Sequence, residues 1–528
     1  MGDESAPLLS QFRARDDAPA AEERAYEKSE LVRVGDVDPG GQGDGEQPNF
    51  SWRKLWIFMG PGFLMSIAYL DPGNIESDLQ VGAQAGYYLL WLLLLATAMG
   101  LLIQLLAARL GVATGSHLAE LCREEYPSST KIVLWIMTEV AIIGADIQEV
   151  IGSAIAFKIL SRGYIHLWAG VLMTGIYGFL FLFLENFGVR KLEALFAVLI
   201  LIMGLSFAGV FAEAQPSSNA IISGLVIPRV PANAIDKAVG IVGCVIMPHN
   251  IFLHSALVQS RAIDTSNKVH VRDALRYYSI ESTIAIVLSF LINVFIMSVF
   301  AKSFYGKPGA QHIGLANAGE YLQHAYGGSN FPIKYIWAAG LLAAGQSSTM
   351  TSTYTGQFVM AGFLNLRIRK WIRVMVTRSV AIVPTIIVAL AFDSSDNELD
   401  QLNEWLNVLQ SIQLPFALIP LLTFVDNERI MGSFRIGGLL KAAAGLIALL
   451  VVVINFYLLA VFLLHSAIRS ILILLLVGIL VCLYAAFIVY LVALPFMNSR
   501  SWAALSSSFH KNRRKVQDSS PDSEATDA

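Results

Sequence analysis

Apolar residues run through this chain in long blocks divided by short polar stretches, and the blocks are long enough to cross a bilayer as helices. About twelve such spans can be marked. They lie near 55–82, 87–108, 131–158, 165–185, 192–212, 238–259, 278–301, 332–358, 371–392, 403–424, 438–464 and 468–495. Two of them break. The first is apolar from Phe63 to Leu70 and then meets Asp71-Pro72-Gly73-Asn74. The sixth reads GCVIMPHNIFLHSALVQSR, with Pro248, His249 and Asn250 in mid-run. Proline lacks a backbone donor and clashes with the preceding turn. In lipid the freed groups are costly, so each break must line protein or a wet cavity. A plain proline kink would account for either break alone. It does not account for the acid beside one proline and the histidine beside the other, because ionisable side chains at membrane depth are expensive and are kept for function. The broken spans open units five spans apart. That predicts an all-α polytopic membrane protein with a five-plus-five inverted repeat and two further helices.

Composition agrees. The chain has 528 residues, 55% hydrophobic and 15% charged, and its mean hydropathy is +0.58. A net charge of −3 gives no sign of a nucleic-acid partner, and three cysteines exclude a disulfide framework. No cysteine or histidine pattern at zinc spacing occurs. The expected organisation is a polar, disordered cytosolic tail over 1–50, a transmembrane domain over 51–495 and a second polar tail over 496–528. Basic residues gather in alternate loops, among them Arg190, Lys191, Arg272, Arg276 and the run 367–373. The positive-inside rule then puts both termini in the cytosol and the acidic loop before Leu402 outside. Glu4, Leu8 and Leu9 fit an acidic dileucine sorting signal that adaptors could read in such a tail. It points to a vacuolar or endosomal-lysosomal membrane, with the plasma membrane as the alternative.

The two breaks offer metal-binding chemistry. The first supplies the Asp71 carboxylate, the Asn74 amide and unwound carbonyls such as that of Ala68. The second supplies the Met247 thioether and carbonyls such as that of Cys244. A thioether adds little for Ca²⁺ or Mg²⁺ but suits softer divalent ions such as Mn²⁺, Fe²⁺, Co²⁺ and Cd²⁺. Met247 could instead be ordinary packing, although its place directly before Pro-His-Asn argues for the site.

At these residues the chain resembles a known family. DPGNIESDLQ (71–80) and MPHNIFLHSALVQSR (247–261) are similar to the two signature segments of NRAMP divalent metal-ion/proton symporters. SIQLPFALIPLLTF (411–424) and GQSSTMTSTYTGQFVM (345–360) resemble the family's tenth and eighth spans, and the variant of the sixth looks most like the plant vacuolar branch. The resemblance implies a leucine-transporter-like fold and proton-coupled import of Mn²⁺, Fe²⁺ and related ions into the cytosol by alternating access. It implies metal contacts from Asp71, Asn74 and Met247 with the carbonyls of Ala68 and Cys244, where family members often carry Ala. A tenth-span amide joins the site, and Asn407, Gln410 and Gln413 compete for that role. No cofactor is expected: the divalent ion is cargo and the proton is the coupling ion.

The third span carries Glu139, Asp146 and Glu149. Spacings of seven and ten residues place them within about 80° of one another at roughly 100° per residue. An acidic stripe in a bundle reads as a proton relay or as a set of ion pairs, with Arg261 and Arg378 as candidate partners. In the resembled family these positions belong to the proton pathway, with His249 near its entrance. His249 could also ligate metal, but its offset from Met247 favours proton handling or gating. His254 is read as structural, held by a hydrogen bond. Because Asp71 must be deprotonated to bind metal, metal arrival can release its proton.

Other classes fit less well. An organic-cation or amino-acid transporter of the same fold would want helix N-termini facing a substrate carboxylate. A non-transporting metal sensor or signalling protein would keep this domain beside a long soluble effector. No nucleophile–base pair supports an enzyme.

Overall fold

The apolar blocks fold as helices, and the two interrupted blocks stay interrupted. The structure, a computed structural model, describes residues 32–33, 50–185, 189–265, 267–327, 332–365, 370–392, 396–465 and 475–495. The first span comprises α1 (Trp52–Phe58), α2 (Pro61–Ile67) and α3 (Pro72–Ala85). Then follow α4 (Leu90–Thr114), α5 (Leu118–Glu125), α6 (Ser128–Leu160), α7 (Leu167–Glu185), α8 (Val189–Ala214) and α9 (Ser218–Val226). The sixth span is α10 (Ile235–Val245) and α11 (Pro248–Leu257). It leads to α12 (Lys268–Phe304), α13 (Leu315–Tyr326), α14 (Ile333–Leu364), α15 (Lys370–Phe392), α16 (Asp396–Val425), α17 (Glu428–Met431) and α18 (Gly438–His465). A separate unit beyond residue 461 contains the apolar helix α19 (Leu475–Pro495). Apart from the helices, Val32–Arg33 pairs in parallel with Arg261–Ala262.

Among the described residues, eight helices are long and apolar enough to cross a membrane, and two shorter apolar helices accompany them. The broken first span and α14 are not among the eight. α14 is rich in Ser and Thr yet largely buried, packed along α6 and α8. Several of its hydroxyls bond within the helix: Ser347 donates to Ala343 O at 2.7 Å, Ser348 to Ala344 O at 2.8 Å and Thr353 to Thr349 O at 2.7 Å. Back-bonding to the preceding turn gives such buried hydroxyls a partner inside the core.

Proline breaks are repaired from neighbouring helices. Pro415 within α16 removes the donor for Ser411 O, four residues earlier. Asn455 of α18 supplies one instead, at 2.6 Å. The first span is broken a second time at Gly60, whose φ of +145° favours glycine. There the Gly60 and Gly62 amides donate to Glu281 at 2.5 and 2.9 Å. The carbonyls of Ile57 and Met59 accept from Arg261 at 2.8 and 2.7 Å, and Arg190 reaches the same two.

Candidate functional site

Both breaks follow one local rule. Asp71 (φ −68°, ψ 161°) and Met247 (φ −94°, ψ 136°) are extended residues, each followed by a proline at the first helical position. Proline there costs nothing, because its missing N–H would be unsatisfied in any case. The carbonyl four residues before each proline does lose its helical donor. For Pro72 that carbonyl belongs to Ala68, and for Pro248 to Cys244. The prolines therefore free the two carbonyls that the residue chemistry nominated. On the first break α12 satisfies the others: Ser289 donates to Ser66 O at 2.9 Å and Asn293 to Tyr69 O at 2.9 Å. Ala68 O keeps only a long contact, 3.5 Å, from the Asn74 amide.

The Asp71 side chain caps α3, accepting from the Gly73 amide at 3.1 Å and from Asn74 Nδ2. Ala68, Asp71, Asn74, Cys244 and Met247 are all buried. α3 packs on α10 and α2 on α11, so the breaks are neighbours. The Cys244 thiol donates to Ile241 O at 3.3 Å and lies within the electrostatic reach of Asp71 and Asp78. The C-termini of α2 and α10 bring carbonyl oxygens to this region, an arrangement that suits a cation. Among the described residues no group of three or more His, Cys, Asp or Glu side chains could hold a metal ion. The two breaks themselves present one carboxylate, an amide, a thioether and backbone oxygens.

The tenth-span amides meet this region through Gln148 of α6, a residue the sequence reading passed over. Gln148 Nε2 donates to Asn407 Oδ1 at 2.9 Å and to Asn403 O at 3.0 Å, while its Oε1 accepts from Gln410 at 2.5 Å. That oxygen lies against Gly73, where a Cβ would come within 3.0 Å of it. Asn407 and Gln410 thus share one amide chain that touches the first break, while the side-chain oxygens of Gln410 and Gln413 both lack a partner among the described residues. The only advance sign of Gln148 was its place between Asp146 and Glu149. Close approach makes the contact: a Cβ on Gly152 would collide with Pro72, and one on Gly345 with Ser153.

Asp146 and Glu149 are buried on α6, and Glu149 accepts from Ser352 of α14 at 2.8 Å. Glu139 is half-buried, accepts from Trp135 at 2.9 Å and lies within the electrostatic reach of Asp146. Arg261 is not their partner. It is buried against Glu193 of α8 at 2.9 Å and bonds the carbonyls at the Gly60 break. The sixth span ends on the first span's side of the bundle, so Arg261 serves that hinge instead. Glu4, Leu8 and Leu9 lie outside the described residues, and of Arg378 only the backbone, on α15, is described. His249 is buried, with no partner for Nδ1 among the described residues. His254 departs from expectation: it is fully buried, and neither ring nitrogen finds a partner among them.

Comparison with known proteins agrees with this geometry. The family model described as natural resistance-associated macrophage protein-like (Nramp) matches residues 62–461. The chain is 59% identical over 500 residues to metal transporter Nramp4 of Arabidopsis thaliana, covering 94% of this chain and 97% of that one. It is 63% identical over 477 residues to metal transporter Nramp3.2 of Populus trichocarpa, covering 90% and 94%. A crystal structure of the Eremococcus coleocola manganese transporter with an aromatic bis-isothiourea compound superposes with a TM-score of 0.73 at 28% identity, over 89% of this chain and 99% of that one. Mhp1, a nucleobase-cation-symport-1 transporter in a closed conformation, shares the fold alone, with a TM-score of 0.54 at 15% identity over 85% and 93%. The family match over residues 62–461 and the identity to these metal transporters across nearly the whole chain carry one conclusion: in a leucine-transporter-like fold, the chain belongs to the Nramp family of metal transporters.

Proposed function

We propose that this protein carries Mn²⁺ and Fe²⁺, and by the same ligand chemistry Co²⁺, Cd²⁺ and Zn²⁺, into the cytosol by alternating access coupled to protons. The observation that carries the reading is the matched pair Asp71-Pro72 and Met247-Pro248. Each proline frees a carbonyl beside a side-chain ligand, on helices packed against each other. A single carboxylate leaves a bound divalent ion with net positive charge, which favours release. The thioether favours ions softer than Ca²⁺ or Mg²⁺, and the manganese named for the Eremococcus relative supports that range. Met247 and Asp71 contact the ion, Asn74 supplies its amide oxygen, and Ala68 and Cys244 supply carbonyls. The amide chain through Asn407 and Gln410 closes the site from the tenth span.

Ion binding requires ionised Asp71, so cargo arrival expels a proton. His249, Glu139, Asp146 and Glu149 form the pathway that takes it, with Ser352 as a hydroxyl relay on Glu149. With the dileucine signal read by adaptors, the protein empties an acidic vacuolar or endosomal-lysosomal lumen. The test is ⁵⁴Mn²⁺ uptake in proteoliposomes with an inward acid gradient. The wild type accumulates the ion and acidifies the interior, and Asp71→Ala does neither. Undiminished uptake by Asp71→Ala would refute the site.

A further inference from the structure

The end of the first span beyond the site carries a second group of charged residues that the transport reading does not use. Glu76 and Gln80 lie on α3, Lys237 on α10, and Asp400, Asn403 and Glu404 on α16. These three helices meet at the face that the positive-inside distribution assigns to the outside. Lys237 Nζ donates to Glu404 Oε1 at 2.5 Å and to Gln80 Oε1 at 2.8 Å, tying α10 to both other helices. Gln80 in turn donates to Glu76 Oε1 at 3.2 Å.

Glu76 lies within the electrostatic reach of Asp400, Glu404 and Lys237 and accepts a hydrogen bond from the Asn403 side chain. The Asp400 carboxylate sits where a Cβ on Gly314 would fall, close against the start of α13. Ionised together, the three carboxylates exceed the one ammonium by the charge of a single divalent ion. Two oxygens at this spot are oriented but unused. Glu76 and Asn403 are 2% and 1% exposed, and neither Glu76 Oε2 nor Asn403 Oδ1 has a partner among the described residues. Burying such groups unpaired is costly, and a cation would satisfy both.

We propose that Glu76, Asn403, Asp400 and Glu404 form an outer divalent-cation site on the approach to Asp71, with the Lys237 ammonium as a tethered competitor for it. An arriving ion takes the carboxylates and frees Lys237 from Glu404, and so loosens the tie among α3, α10 and α16. The donor set is all oxygen, with no thioether. It should therefore accept Ca²⁺ and Mg²⁺ as readily as Mn²⁺, and it concentrates divalent ions without sorting them. The inference deepens the transport reading and rests on it.

The test uses purified full-length protein, with Mn²⁺ as the probe. Asp71→Ala, which disables the inner site, should still bind one Mn²⁺ weakly by electron paramagnetic resonance titration, and excess Ca²⁺ should displace it. Adding Asp400→Asn and Glu404→Gln should abolish that binding. In proteoliposomes, Asp400→Asn/Glu404→Gln should raise the KM for Mn²⁺ about tenfold with Vmax retained, as loss of a focusing charge does. Lys237→Gln should lower it. Millimolar Ca²⁺ should raise the wild-type KM and leave that of the double variant unchanged. No Mn²⁺ bound by Asp71→Ala, or a KM indifferent to the outer substitutions while Asp71→Ala abolishes uptake, would overturn the outer site and leave the transport reading standing. Uptake surviving in Asp71→Ala would instead strike at the transport reading itself.

Discussion

Gln410 of the tenth span donates to the Oε1 of Gln148 at 2.5 Å, and that oxygen rests against the glycine two residues after Asp71. Gln148 also donates to Asn407 and to Asn403 O, so a single side chain ties the third and tenth spans together beside the first break. Gln148→Leu should leave these buried partners unpaired, at about 1–3 kcal/mol. We expect a lower unfolding temperature in detergent and Mn²⁺ uptake reduced chiefly in Vmax, because Asp71, Asn74 and Met247 would remain to bind the ion. A variant with wild-type Vmax would deny Gln148 any part in the transport cycle.

Met247→Ala removes the one soft donor and should retain uptake of Mn²⁺ at reduced affinity while admitting Ca²⁺. Oxygen donors alone do not disfavour the harder ion. Competition of Ca²⁺ and Mg²⁺ against ⁵⁴Mn²⁺ checks this. Continued rejection of Ca²⁺ by the variant would place selectivity elsewhere.

Asn455 supplies the donor that Pro415 denies to Ser411 O. Asn455→Leu should cost about 1–3 kcal/mol as that carbonyl loses its partner. In the Pro415→Ala background the helix can supply its own N–H, and the same substitution should cost much less. Thermal melts of the four proteins in a double-mutant cycle measure the coupling, and additive effects would contradict the repair.

Gly152 lets α6 lie against Pro72, where a Cβ would collide with the ring. Gly152→Ala should force the helices apart at the first break. The expected destabilisation is about 1–3 kcal/mol, the usual cost of overpacking, with Mn²⁺ uptake falling further than the melting shift alone would explain. Gly209→Ala, where no atom stands within 4 Å of the added methyl, is the control.

The sequence by itself determined the helical membrane class and both broken spans. Those features are local: apolar run length reports bilayer thickness, and a proline frees the carbonyl four residues before it wherever the chain folds. Thus the carbonyls of Ala68 and Cys244 lose their helical donors to Pro72 and Pro248 by local geometry alone. Which distant groups meet was decided only by packing. Arg261 might have faced the acids of α6, yet it pairs with Glu193 and holds the Gly60 break. Gln148 carried no signal beyond a polar letter in an apolar run, and its role exists only because glycines such as Gly152 and Gly345 let α6 approach α3 and α14 so closely. A side chain's type fixes what it can bind, but in a bundle of crossing helices its partner is set by which small residues permit contact, and that spans hundreds of positions that sequence spacing does not encode.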